Sequence, residues 1–336
     1  STGWAPLTKN MGFWFSSKAR GRVMGFWCTN YAFGGMLASP FAGYVAYSVF
    51  DDWRWAVFSG AAVLFLICLP FSFLQRDRPR DVGLKEIEEY HGEPTEVVDA
   101  RHAPGEEKEG SWELIGKVIR SPPVLVMAAA YFLLKPARYA ILFWGPVIAS
   151  ERIASDSFAL AAALPAAFQA AGLLAPIAIG FVSDKLFQAR RFPACVLSLL
   201  LLAIVLLLFG PLTSSGSSGG MLVAFFLIGL FLFGPDSMMS GTAAVDFGTK
   251  KGAGTAAGFI NGFGSFGQIL GVALPGYLMV WFPGADTTVI LFYGFSAAAF
   301  LAGLLLVPFW NRVPATGRAS SEEGVGSHRS SDGEME

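Results

Sequence analysis

Charge is what this chain has least of. Asp, Glu, Lys and Arg make up 15% of its 336 residues, against about a quarter in a soluble domain. The few charges are also segregated from the apolar stretches, so a soluble globular fold is excluded as the primary reading. Histidine is nearly missing. The three histidines, His91, His102 and His328, all fall in polar segments, which excludes a histidine proton relay within the apolar ones. Cysteine is equally scarce: Cys28, Cys68 and Cys195 each sit inside an apolar run with no paired spacing. That pattern describes small core residues and excludes a disulfide framework or a metal site. A net charge of −1 gives no footing for a nucleic-acid partner. Nothing resembles a nucleophile–base pair or a metal cluster, so neither catalytic residues nor a cofactor are expected, and the chain is not read as an enzyme. The sequence has neither an initiating Met nor a signal peptide, and Ser1 falls within a helical pattern. The expectation is therefore of a chain truncated at its N-terminus.

What the sequence has in abundance is long apolar runs. Eight can be placed, at 21–50, 53–74, 122–148, 158–181, 192–209, 220–245, 254–282 and 288–310, with a shorter remnant at 1–15. Runs of about twenty apolar residues match a hydrocarbon core of roughly 30 Å. Gly and Ala recur within them, as expected where helix backbones approach closely in lipid. The fold class expected is an all-α membrane protein in contact with the lipid bilayer.

Orientation follows from Lys and Arg. Alternate loops separate into two sets. One holds Lys18, Arg20 and Arg22, the stretch from Arg76 to Arg120, then Lys185, Arg190, Arg191, Lys250, Lys251 and the C-terminal tail. The other holds only Arg54 and Arg152. The basic set is assigned to the cytoplasm, with a plasma membrane (the inner membrane of a bacterium) as the expected location. Domain organisation is read as 1–75, the end of a first group of helices; 76–120, a cytoplasmic central loop whose middle at 93–110 is expected to be flexible; 121–311, six further helices; and 312–336, a disordered cytoplasmic tail. Three spans before a central loop and six after it suggest a six-plus-six plan, that of the major facilitator fold, with about nine of twelve helices (helices 4 to 12) present.

Four charges lie within the apolar runs: Lys9, Lys135, Arg138 and Asp236. Each costs about 2.5–3.5 kcal/mol at mid-span on insertion scales, so an inward-facing role is the default. On the helix numbering above they fall on helices 4, 7, 7 and 10, which line the central cavity in this fold. Lys135 and Arg138 are one turn apart on one helical face, and Pro136 between them interrupts the backbone ladder. The four sum to +2, which suits a small dianion. Arg presents a planar fork to phosphate oxygens, whereas Lys acts as a point charge. Two plainer readings stand beside this one. Lys9 is near enough to the cytoplasmic loop to snorkel, and Asp236 could pair with a cation and hold the two halves together. Arg138 facing lipid, or sealed against a permanent acidic partner with no open space beside it, would contradict a phosphate site.

Several segments resemble the organophosphate:phosphate antiporters of the major facilitator superfamily, over nearly the whole chain. They are GWAPLTKNMGFWFSSKARG (3–21), RDRPRDVGLKEIEEY (76–90), LLKPARYAILFWGP (133–146) and FGPDSMMSGTAAVDFGTKKGAGTAAGFINGFGSFGQ (233–268). The resemblance aligns Arg138–Tyr139 with the arginine that binds phosphate in that family and Lys9 with a basic position of its helix 4. It implies exchange of a small organic phosphate, a sugar phosphate or glycerol phosphate, for inorganic phosphate by alternating access. Substrate contacts would come from Arg138, Lys135, Tyr31, Lys9, Asn30, Tyr139, Trp27 and Asp236, with Trp144 a further candidate for the organic end. Binding of either anion would relieve repulsion among the cations and let the halves rock, and without it the switch would be slow. GFVSDKLFQARR (180–191) is similar to the superfamily's cytoplasmic loop signature, implying a gate of Gly180, Asp184 and Arg190. Gly254, Gly258, Gly262, Gly264 and Gly267 read as a helix-packing surface rather than a phosphate loop, which would need a preceding strand. In GFWCTNYAFGG (25–35), Tyr31 stands where the glycerol-3-phosphate branch has a histidine, which argues against glycerol 3-phosphate as substrate. Two alternatives remain: a membrane sensor of sugar phosphate with a transporter fold, and a proton-coupled carrier of another organic anion that titrates Asp236. A monomer is expected.

Overall fold

The computed structural model describes residues 4–15, 17–85, 87, 90, 111–152, 158–188, 190–213, 217–244, 253–282 and 286–312. Among these, all regular structure is helical. In chain order the helices are α1 Trp4–Trp14, α2 Ser17–Gly43, α3 Arg54–Leu74, α4 Ser111–Ile119, α5 Pro122–Arg152, α6 Phe158–Phe181, α7 Arg191–Leu207, α8 Phe209–Thr213, α9 Ser218–Ser237, α10 Ala253–Trp281 and α11 Thr287–Leu306. The segment 93–110, read as flexible, and all of the tail read as disordered at 312–336 except residue 312 lie outside the described residues.

Among the described residues, six segments are long and apolar enough to cross a membrane: Arg54–Leu74, Pro122–Gly145, Leu164–Leu186, Ser218–Thr242, Gly254–Trp281 and Thr287–Phe309. The expected span at 192–209 is instead an apolar helix of 17 residues, Arg191–Leu207. It stops at Leu208, and the short α8 follows. The expected span at 21–50 is not among the six either; most of it falls in α2, which starts at Ser17. Lys18, Arg20 and Arg22 therefore lie on its opening turns and not in a loop. Those polar turns are why α2 is less apolar than its neighbours.

The main core lies among α5, α6, α7, α9, α10 and α11. Its principal pairings are α5 with α10, α6 with α9, α7 with α11, and α5 with α11. Aromatic stacking fills the α8–α9–α11 corner, where Phe209 lies 3.8 Å from Phe292, centroid to centroid. Helix α2 joins this group through α6. A Cβ built on Gly172 would stand 2.7 Å from the Ala32 Cβ, and one on Gly35 2.2 Å from Gln169 Nε2. No described residue of α3 is buried. Its Phe65, Leu66, Phe73 and Leu74 all face outward, an apolar exposure that water penalises and lipid does not.

Helix α1 is tied to the exit of α3. Asn10 Nδ2 and Trp14 Nε1 both donate to the Arg76 carbonyl, at 3.0 and 3.2 Å, and the Arg78 guanidinium lies over Phe13 at 4.5 Å. The turn after α3 is closed by Asp81, whose carboxylate accepts from the Arg78 amide. Gly83 adopts φ +76° there, a left-handed conformation that a side chain disfavours.

Pro136 sets the α5–α10 contact. Having no N–H, it leaves the carbonyl of Phe132 without its helical donor. Gly267 lies directly against that carbonyl: a Cβ there would be 2.2 Å from the Phe132 oxygen. Gly271 approaches the Pro136 carbonyl equally closely, at 2.3 Å, and Gly264 packs on Tyr131. Gly262, expected in the packing surface, has open space beside it. Gly271, not anticipated, takes its place.

Candidate functional site

The buried charges converge. Arg138 and Lys135 project from α5 and Asp236 from α9, exposed by only 4%, 7% and 7%. Arg138 Nη1 donates to Asp236 Oδ2 at 2.5 Å, and Lys135 Nζ lies 3.4 Å from Asp236 Oδ1. The one-turn spacing of the two cations puts both on the face that meets α9. A carboxylate between two cations offsets much of the cost of holding them out of water, and removing it would leave buried charge uncompensated. Asp236 is positioned by Pro235 before it and by a π-helical turn, Met238–Thr242, just after it. Ser240 Oγ donates to the Asp236 carbonyl at 2.7 Å within that distorted turn.

Aromatic rings enclose the cations. The Arg138 guanidinium carbon lies 4.5 Å from the Tyr31 ring, 4.7 Å from Phe233 and 5.9 Å from Tyr139. Lys135 Nζ is 4.6 Å from Tyr131 and 5.4 Å from Tyr139. Ring faces attract a guanidinium or ammonium while leaving its N–H groups free for anions. Tyr131 in turn donates to Asn261 Oδ1 on α10 at 3.4 Å. Tyr31 is the most exposed of these rings, at 45%, and Tyr139 is half-buried, so Tyr31 forms the open edge of the group. Sequence reasoning points to Tyr31 but not to Tyr131 or Phe233, which look like ordinary core residues. The helical spacing of Tyr131, Lys135 and Tyr139, four apart on one face, was the signal available for the first of these.

Several expectations need correction. The acidic partner of Arg138 and Lys135 does not hold the two halves together: α5 and α9 both lie in the segment after the central loop, and the cross-link to α2 is the Tyr31–Arg138 contact. The arginine is neither turned to lipid nor without a counter-ion. Trp144 does not face the group. Its indole donates to the Val272 carbonyl at 3.0 Å and its ring packs on Gly276, both on α10. On the cytoplasm-assigned side, Asp184 pairs with Arg191 at 2.6 Å and not with Arg190. Arg190 instead donates to Asn311 Oδ1 at 3.1 Å. The reason is local: Arg190 is the extended residue before α7, and the helix begins only at Arg191. Arg191 also donates to Ser183 Oγ at 3.1 Å. Gly180 and Asp184 line a small cavity with Cys28, Pro176, Ile179, Arg191, Ser237, Met238 and Thr242. Asn30 is exposed on α2 and Trp27 half-buried there. Lys9 lies within α1, with its side chain outside the described residues. Among the described residues, no grouping of His, Cys, Asp and Glu has the makings of a metal site.

Residues 1–271 match the Major Facilitator Superfamily. Over 95% of its length the chain is 30% identical to a "Probable hexose phosphate transport protein" of Chlamydia pneumoniae, of which it covers 70%. It is also 30% identical, over 79% of its length, to a glycerol-3-phosphate transporter of Bacillus subtilis, covering 58% of that protein. A third relative at 30% identity is the membrane sensor protein UhpC of Escherichia coli, matched over 89% of this chain and 65% of its own length. The chain thus spans between about three-fifths and seven-tenths of the relatives it resembles.

Proposed function

We propose, from the premise that this chain belongs to the Major Facilitator Superfamily and within it to the organophosphate:phosphate antiporter family, that it carries a small phosphorylated anion in exchange for inorganic phosphate. The chain is an integral, multi-pass membrane protein. The observation that carries the reading is Arg138: a buried guanidinium, ringed by aromatic faces, with the half-exposed Tyr31 at its edge. Arg138 would clamp the phosphoryl oxygens through its planar fork. Lys135 would supply a second positive charge, Tyr31 a hydroxyl, and Lys9, Asn30, Tyr139 and Trp27 further contacts. Alternating access would follow from movement at the α2–α6 interface, with the Asp184–Arg191 pair latching one face. The central loop and tail would lie in the cytoplasm.

The names of the relatives support a phosphorylated substrate, and the hexose phosphate protein is matched over more of this chain than the glycerol-3-phosphate transporter. With Tyr31 beside the guanidinium, a sugar phosphate is the favoured organic partner. The test is counterflow. Proteoliposomes loaded with phosphate should take up labelled phosphate, with uptake inhibited by external hexose phosphate more strongly than by glycerol 3-phosphate. A protein that binds hexose phosphate but moves none would instead be a sensor, a second reading that the similarity to the membrane sensor protein favours.

A further inference from the structure

Asp236 occupies the guanidinium that a phosphate carrier needs. Its Oδ2 takes Arg138, while its Oδ1, also buried, accepts no hydrogen bond. Lys135 Nζ is ion-paired with that oxygen at 3.4 Å, so a second cation is already in place to hold the carboxylate. The backbone beside Asp236 is not regular α-helix: Pro235 precedes it and the π-helical turn Met238–Thr242 follows. Single π-helical turns of this kind are frequent at functional sites.

We infer that Asp236 is a tethered counter-anion: the phosphoryl group displaces it from Arg138, and Lys135 retains it. This rests on the phosphate reading above and adds what sets the selectivity of that site. In the empty site, Arg138 and Lys135 share one carboxylate. In the loaded site, Arg138 turns its fork to phosphate oxygens and Asp236 stays with Lys135. No covalent step and no proton transfer is involved. The three side chains sum to +1 throughout, so the buried cluster is never left with two uncompensated cations.

The tether makes Asp236 a threshold. A carboxylate held on the same framework competes at a high effective concentration. A free monocarboxylate offers Arg138 nothing that Asp236 does not already supply, so it fails to displace it. A phosphate, with more charge and three oxygens, does. The device therefore rejects ordinary carboxylates without any steric filter.

The test is phosphate binding to the purified chain in nanodiscs, measured by titration calorimetry on wild type and three variants. Asp236→Asn should bind phosphate about tenfold tighter or more and should also admit acetate. Lys135→Gln leaves a neutral Arg138–Asp236 pair, keeps every buried charge matched, and should bind phosphate more weakly. The double variant K135Q/D236N carries the same formal charge as wild type, +1, on Arg138 alone. Counting charge predicts unchanged affinity for it, whereas displacement predicts tighter binding than wild type. Monodispersity on size exclusion is the folding check for each variant, and K135Q carries the test if the others fail it. If wild type binds phosphate but the double variant binds it no tighter, or K135Q binds at least as tightly as wild type, the displacement is overturned and the phosphate reading stands. If neither wild type nor any folded variant binds phosphate, both fall together.

Discussion

The ring of Tyr31 on α2 lies 4.5 Å from the guanidinium carbon of Arg138 on α5. Through this contact α2 reaches the ion cluster, and Tyr31 is the most exposed of the described rings around it. An anion approaching Arg138 from the open side meets this tyrosine first. Replacing it with Phe keeps the ring and removes the hydroxyl, while Ala removes both. A cation–π contact of this kind is worth about 0.5–2 kcal/mol. Phosphate binding should therefore fall modestly in Tyr31→Phe and further in Tyr31→Ala, as read by calorimetry. Equal affinity in all three proteins would separate Tyr31 from the site.

The glycines of α10 make opposite predictions at neighbouring positions. Gly267→Ala drives a methyl into the Phe132 carbonyl, 2.2 Å away, an overpacking that typically costs about 1–3 kcal/mol. Gly262→Ala meets nothing within 4 Å and gains about 1 kcal/mol of helix propensity. Thermal unfolding in detergent should be lowered by the first and unchanged or raised by the second. The reverse order would mean that α10 faces α5 in a different register.

Trp144 separates structure from selectivity. Its indole serves the Val272 carbonyl, so Trp144→Phe should reduce stability by about 1 kcal/mol. The ratio of inhibition constants for hexose phosphate and glycerol 3-phosphate should not move. A changed ratio would return this residue to the substrate-lining set.

The latch should be visible at Cys28. This thiol lines the small cavity that also holds Asp184 and Arg191. Asp184→Asn and Arg191→Gln should each speed alkylation of Cys28 by a maleimide, counted by mass spectrometry. Arg190→Gln, whose partner is Asn311, should affect it less. Because Asp184 is more than half exposed, the effect is expected to be a few-fold, as for a solvent-accessible pair.

How far the sequence could be read follows from what each feature depends on. Arg138, Lys135 and Asp236 were legible because a charge in an apolar run is expensive wherever it points. Their pairing was not, because it depends on how α5 and α9 are rotated against each other. Arg190 and Arg191 are adjacent, and only the starting point of α7 decides which one turns back to Asp184. Gly271 was missed although Gly267 and Gly271 stand at the small-xxx-small spacing; the recognised block ended at Gln268. Pro136 was read as a break in the ladder. Its consequence, a carbonyl left open for Gly267 to meet, needed the neighbouring helix.

Phosphate exchange by this chain depends on the phosphoryl group being held by the fork of Arg138. Arg138→Lys keeps the charge and the Asp236 pairing but removes the planar pair of donors. In phosphate-loaded proteoliposomes, counterflow should drop about ten- to a hundredfold, with protein yield and monodispersity close to wild type. Counterflow at the wild-type rate in that variant would contradict it.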